Sequence, residues 1–191
     1  DGDIPFAEGD HVEAEIMPRR GHHGKTARVI DNLGPADFPG AFSALAIAEN
    51  DIPHVFDEQT IAETEGLKVP PAKGRSDMRA LPFVTIDGAD ARDFDDAVLA
   101  TPLEGGGWEI RVAIADVSHY VRPGSALDAE AWKRGNSVYL PDRVVPMLPE
   151  ALSNDLCSLR PNEPRAAMVA IITIDEDGDV TSHEFERALI R

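Results

Sequence analysis

Cysteine is almost missing from this chain. Cys157 stands alone, so no internal disulfide can brace the fold, and that scarcity fits a reducing compartment such as the cytoplasm. Long apolar runs are missing as well: none approaches the ~20 residues needed to cross a bilayer, and no charged-then-apolar leader opens the sequence. The expectation is a cytoplasmic protein with no membrane partner. Basic residues are scarce, 18 Lys and Arg against 35 Asp and Glu, for a formal charge of −17. Because phosphate binding needs Lys and Arg to displace counterions, this balance argues on its face against nucleic acid. The objection weakens if the acids are concentrated at a metal site and a basic part of a parent protein lies elsewhere. A start at Asp1 without methionine raises the expectation of an excised piece. Internal repeats and low-complexity tracts are also lacking.

What is present is enough apolar material, 42% of 191 residues, to bury a core in one or two domains. The most distinctive stretch runs from Thr85 to Val98 and sets Asp87, Asp90, Asp93, Asp95 and Asp96 around the single Arg92. Leu81-Pro82-Phe83-Val84 precede it and Ala97-Val98-Leu99 follow, which is not the setting of a solvated acid run. Carboxylates this close make one another costly to ionise, so a folded chain needs positive charge among them. Arg92 supplies too little. A hard divalent cation with oxygen ligands is the natural remedy, and Mg²⁺ or Mn²⁺ suits an all-carboxylate set better than zinc, which prefers His and Cys. Side chains alternate along extended backbone, so Asp93 and Asp95 share a face while Asp95 and Asp96 do so only across a kink. The spacing predicts an irregular loop between two strands, where sites are commonly built.

Earlier in the chain, Val12, Ala14 and Ile16 alternate with charged residues and Ala27-Arg28-Val29-Ile30 returns, a hairpin whose tip is the basic Arg19-Arg20-Gly21-His22-His23-Gly24-Lys25. That tip is either a solvated turn or a weak contact to a phosphate backbone. Gly24-Lys25-Thr26 is not a phosphate loop, because Arg19 stands where that motif needs glycine and a strand pattern follows in place of a helix. Phe42, Leu45, Ala46 and Ala48 suit a short helix, and Asp57 caps another ending at Gly66. Val69 to Ser76 reads as a linker and a domain boundary.

Beyond the acidic stretch, Trp108 to Ala115 alternates and then turns wholly apolar, as an internal strand does, and Asp116 closes it. That carboxylate is either a partner of the metal ligands or a structural hydrogen-bonding group. Ser125-Ala126-Leu127-Asp128 opens a helix as a capping box, with Gly135-Asn136 ending it. Ser137 to Leu140 is a brief strand stopped by Pro141. Ala166–Asp175 and Val180–Ile190 form a hairpin about Glu176-Asp177-Gly178-Asp179.

The run Thr85-Ile86-Asp87-Gly88-Ala89-Asp90-Ala91-Arg92-Asp93-Phe94-Asp95-Asp96-Ala97 resembles the first acidic motif of the ribonuclease II / ribonuclease R (RNB) exoribonucleases. The resemblance continues through Val112 to Val121, Ser137 to Pro141, Val145 to Pro149 and Leu152 to Leu159. The forms Ser118-His119-Tyr120-Val121 and Ser137-Val138-Tyr139-Leu140-Pro141 lean toward the ribonuclease R branch. The resemblance covers the last two thirds of the chain strongly and the first third weakly.

It implies an α+β fold: residues 1–36 the end of a cold-shock, OB-type RNA-binding barrel, 37–80 a helical linker, and 81–191 the N-terminal part of a mixed α/β RNB catalytic domain. It implies processive 3′-to-5′ hydrolysis of single-stranded RNA to nucleoside 5′-monophosphates, dependent on Mg²⁺, or on Mn²⁺ in its place, with no organic cofactor and no obligate protein partner. Asp87, Asp93, Asp95 and Asp96 match the family's acidic quartet, and Asp95 matches the aspartate whose loss abolishes cleavage. Asp87 and Asp96 are assigned to metal ligation, and Asp93 and Asp95 to ligation or to orienting the attacking water. Tyr139 matches a tyrosine beside the terminal nucleotide, where an aromatic face stacks on any base. The family's catalytic domain runs longer, with a downstream arginine and glutamate and a basic S1 barrel, so these 191 residues are expected to be inactive alone.

Duller readings stand beside these. The acidic stretch as a surface loop or a calcium hand is weakened by the absence of glycine at the sixth position counted from Asp87 or Asp175. Tyr139 as a core tyrosine remains open. The histidines show no zinc spacing, and Asp116, Ser118 and His119 are too near in sequence to converge as a nucleophilic triad. Two rivals of other classes are a non-catalytic RNA-binding or interaction module that keeps the acidic motif for shape, and an acidic protein-interaction domain.

Overall fold

The computed structural model describes residues 4–17 and 26–191, so the basic tip expected at Arg19 to Lys25 lies outside the described residues. In chain order come strands β1 (Asp10–Ile16) and β2 (Ala27–Pro35), helices α1 (Ala41–Glu49) and α2 (Glu58–Ala62), and strands β3 (Ser76–Asp77), β4 (Asp96–Pro102) and β5 (Trp108–Ala115). Helices α3 (Val117–Tyr120) and α4 (Ala126–Arg134) precede the short strands β6 (Val138–Tyr139) and β7 (Val144–Val145). A π-helical turn at Leu152–Leu156 leads to the long strands β8 (Arg165–Ile174) and β9 (Val180–Ile190). Two compact units divide the chain, Asp1–Val55 with Asn136–Val145, and Phe56–Gly135 with Pro146–Arg191.

The first unit holds the expected hairpin. β1 and β2 pair antiparallel with register shifts after His11 and Glu13, and among the described residues they form a two-stranded sheet, not a closed barrel. Helix α1 buries Ala41, Ser43 and Ile47, and the Ser43 hydroxyl donates to the Asp142 carboxylate beside the antiparallel β6–β7 pair.

The second unit is a five-stranded sheet in the order β3-β9-β8-β5-β4, antiparallel throughout except for the parallel β3–β9 contact. Its chemistry explains its packing. Ala113, Ala115, Ala167 and Ala188 are small, fully or nearly buried residues on neighbouring strands, which leaves room for larger side chains to pack above them. Tyr120 of α3, Leu127 of α4, Leu152 of the π-turn, and Leu148, Cys157 and Leu159 from the segments flanking that turn join them in one cluster. Burying a Leu of this kind contributes about 1.5–3 kcal/mol. The turn from β4 to β5 depends on Gly107, whose φ of 80° and close approach to the Ile174 carbonyl leave no place for a Cβ.

Helix ends follow the sequence signals with adjustments. The Asp57 carboxylate accepts from the Thr60 amide at 2.6 Å, but α2 ends at Ala62, and Thr64 and Glu65 continue with tighter i to i+3 bonds before Gly66 turns at φ 75°. At α4, Ser125 accepts from the Asp128 amide at 3.1 Å, while the Asp128 carboxylate reaches Gly124. The orphan amides of Ala126 and Leu127 both donate to Glu63 at 2.9 Å, which ties α4 to the end of α2. The strand expected before the acidic stretch is reduced to one bridge between Val84 and Val98, because Pro82 interrupts the ladder.

Candidate active site

The acidic stretch is an irregular segment running from the Val84–Val98 bridge to β4, as its spacing predicts. Its second half is held closely. The Ser158 hydroxyl donates to the Arg92 carbonyl at 2.7 Å and accepts from the Phe94 amide at 3.1 Å. Leu159 donates its amide to the Phe94 carbonyl at 2.8 Å, and Ala115 donates to the Asp95 carbonyl at 2.9 Å. Every peptide unit between residues 92 and 96 is therefore fixed to the scaffold. Phe94 packs on the core cluster, and Asp93 and Asp95 flank it on this fixed backbone. Asp96 begins β4 opposite Ile114, and buried Ala97 anchors the strand behind it.

Electrostatics tie the four predicted aspartates together. The Asp95 carboxyl is raised above its ordinary range, first by burial and then by the negative charges of Asp93, Asp96 and Asp87. Beneath the loop, burial pushes the Cys157 thiol up to about 12, with Asp95 and Asp116 adding to the effect. Among the described residues, no three His, Cys, Asp or Glu side chains are set as a metal cluster, so proximity is shown and a ligating geometry is not. The donor set still fits a hard divalent cation: it is all oxygen, and its charges penalise one another in the absence of a counter-charge.

Tyr139 belongs to the first unit, on β6 opposite Val144, and is 66% exposed, which sets aside the reading of a core tyrosine. Asp116 is structural: buried, it accepts from Arg75 at 2.6 Å and from Ser118 at 2.8 Å. Burial alone would raise its carboxyl, but the hydrogen bonds from Arg75 and Ser118 outweigh that and hold it below its ordinary range. His119 packs edge-on against Tyr120, with ring centroids 4.9 Å apart.

Two residues carry weight that the sequence reading did not give them. Ser158 is completely buried, and Arg165, 3% exposed, donates to the Ser158 carbonyl at 2.8 Å, the Asp155 carbonyl at 3.0 Å and the carboxylates of Asp155 and Glu163. The available signal was a hydroxyl inside the apolar run Leu156 to Leu159, since a buried polar group needs a partner.

A family model described as "RNB domain" matches residues 75–191, the greater part of the chain. Ribonuclease R of Vibrio cholerae serotype O1 is 48% identical over 187 residues, 95% of this chain and 23% of that protein. The chain thus spans about a quarter of the length of the curated relatives it matches. A structure titled Mycoplasma genitalium RNase R in complex with double-stranded RNA superposes with a TM-score of 0.88 at 31% identity, over 98% of this chain and 34% of that one. Yeast Ssd1, titled a pseudonuclease, shares the fold alone, with a TM-score of 0.70 at 19% identity over 93% of this chain and 23% of that one.

Proposed function

Because this chain belongs to the RNB-domain family, we propose that it is part of a 3′-to-5′ exoribonuclease that hydrolyses single-stranded RNA to nucleoside 5′-monophosphates in the cytoplasm. The observation that carries the reading is the clamped run from Arg92 to Asp96, a fixed backbone on which Asp93 and Asp95 flank the core-packed Phe94. Residues 1–36 are read as the end of a cold-shock-type barrel, 37–80 as a linker and 81–191 as the start of the catalytic domain.

Asp87 and Asp96 would hold Mg²⁺ or Mn²⁺, and Asp93 and Asp95 would share in ligation or orient the attacking water. The bound cation supplies charge neutralisation at the phosphodiester and a more acidic water. The scaffold's contribution is preorganisation: backbone fixed before substrate arrives has no ordering left to do. Tyr139 would stack on a base without regard to sequence. The 191 residues alone are proposed to lack activity, since the relatives that carry the name are several times longer.

The test uses the full natural protein with 5′-labelled oligo(A). Mg²⁺-dependent loss of the full-length strand to a short 5′-labelled end product, with AMP release and both lost in Asp95→Asn, is expected. RNA that is bound but never shortened would favour the non-catalytic module, a reading that the shared fold of a pseudonuclease keeps in view.

A further inference from the structure

Ser158 contacts the acidic loop in an unusual way. Its one hydroxyl joins the two peptide units that bracket Asp93, accepting from the Phe94 amide and donating to the Arg92 carbonyl. Both capacities of the oxygen are used inside a site with no solvent exposure, so rotation of the Asp93 backbone would break one bond or both. Next to it, the Leu159 amide fixes the peptide unit leading into Asp95. The support continues outward: the Arg165 Nε–H is shared between the Ser158 and Asp155 carbonyls, and the π-turn bond from the Cys157 amide to the Leu152 carbonyl, 2.8 Å, shapes the segment that delivers Ser158.

We propose that Ser158 is a positioning residue of the acidic loop, setting the directions of the Asp93 and Asp95 carboxylates toward a divalent cation, with Arg165 holding Ser158 in place. The proposal rests on the function proposed above. Ser158 acts on the loop through its backbone, at the Arg92 carbonyl and the Phe94 amide. Its effect is therefore on how tightly a cation is held, as for other groups that orient ligands from behind.

The experiment measures Mn²⁺ uptake by the full natural protein with electron paramagnetic resonance, and the Mg²⁺ concentration giving half-maximal oligo(A) hydrolysis. Both are read at a temperature where circular dichroism shows every variant folded. Ser158→Ala is expected to weaken Mn²⁺ binding roughly tenfold and to shift the Mg²⁺ midpoint in parallel. Glu63→Ala, which loosens the α4 cap instead, leaves both unchanged. Should Ser158→Ala fail to fold, Ser158→Cys carries the test, being nearly the same size with a much weaker donor, and the same direction of change is expected. Unchanged Mn²⁺ affinity in the folded variant, with only lowered stability, would overturn the proposal while wild-type uptake still depends on Asp95. If wild type takes up no Mn²⁺, or Asp95→Asn leaves uptake intact, the proposed function falls first and this inference with it.

Discussion

Arg75 donates to the Asp116 carboxylate across 2.6 Å, and the two side chains are 5% and 0% exposed. The pair ties the segment entering β3 to the end of β5, the strand whose last residue, Ala115, holds the Asp95 carbonyl. Removing one member of a buried pair leaves the other charge without compensation, typically at about 3–5 kcal/mol. Asp116→Ala is expected to lose stability on that scale in urea unfolding. A loss under about 1 kcal/mol would mean that water already reaches the pair.

The same pair sets a pH dependence. The folded Asp116 carboxyl lies below its unfolded value, so its contribution is fully present above that value, about pH 4, and fades as pH falls through the folded one. Wild type is expected to lose stability in acid below about pH 4 more steeply than Asp116→Asn does. Parallel curves for the two proteins in that window would refute the assignment.

Glu63 receives both first amides of α4, and these bonds, with the Leu127 amide first and Ala126 next, hold its carboxyl below the ordinary range. In Glu63→Ala, amide exchange at Ala126 and Leu127 should quicken while β8 amides stay protected. In wild type the same loosening should appear on acidification, because a depressed carboxyl loses its contribution as pH falls.

Tyr139 presents an exposed ring, and base stacking on such a ring is worth about 1–3 kcal/mol. Tyr139→Ala in the full natural protein should weaken oligo(A) binding by a comparable amount, and Tyr139→Phe should stay near wild type. Equal losses in both variants would assign the contact to the phenol.

The buried Cys157 thiol, raised to about 12 and next to Ser158, should resist aromatic disulfide reagents in the folded protein and react only as fast as the structure opens. Immediate reaction would place the thiol at the surface and contradict the packing under the acidic loop.

Local signals were legible and long-range ones were not. The β8–β9 hairpin was announced by its Asp-Gly turn, and α4 by Ser125 and Gly135, because those features act over a few residues. The parallel contact of β3 with β9, the Arg75–Asp116 pair and the Ser158 clamp join residues far apart in sequence, and no periodicity encodes them. Much the same divides the site. Clustered aspartates could be read from their spacing, and their mutual repulsion at Asp95 follows, but what fixes their backbone comes from Ser158 and Leu159, residues read only as part of a longer matching run.

If Asp87, Asp93, Asp95 and Asp96 act together on a divalent cation, losing one of them must weaken the uptake of that cation. The decisive measurement is calorimetric titration of Mn²⁺ into the full natural protein, alongside Asp87→Asn and Asp96→Asn. Saturable uptake by wild type is expected, abolished or much weakened in both variants, each still folded. Identical titration curves for all three proteins would contradict it.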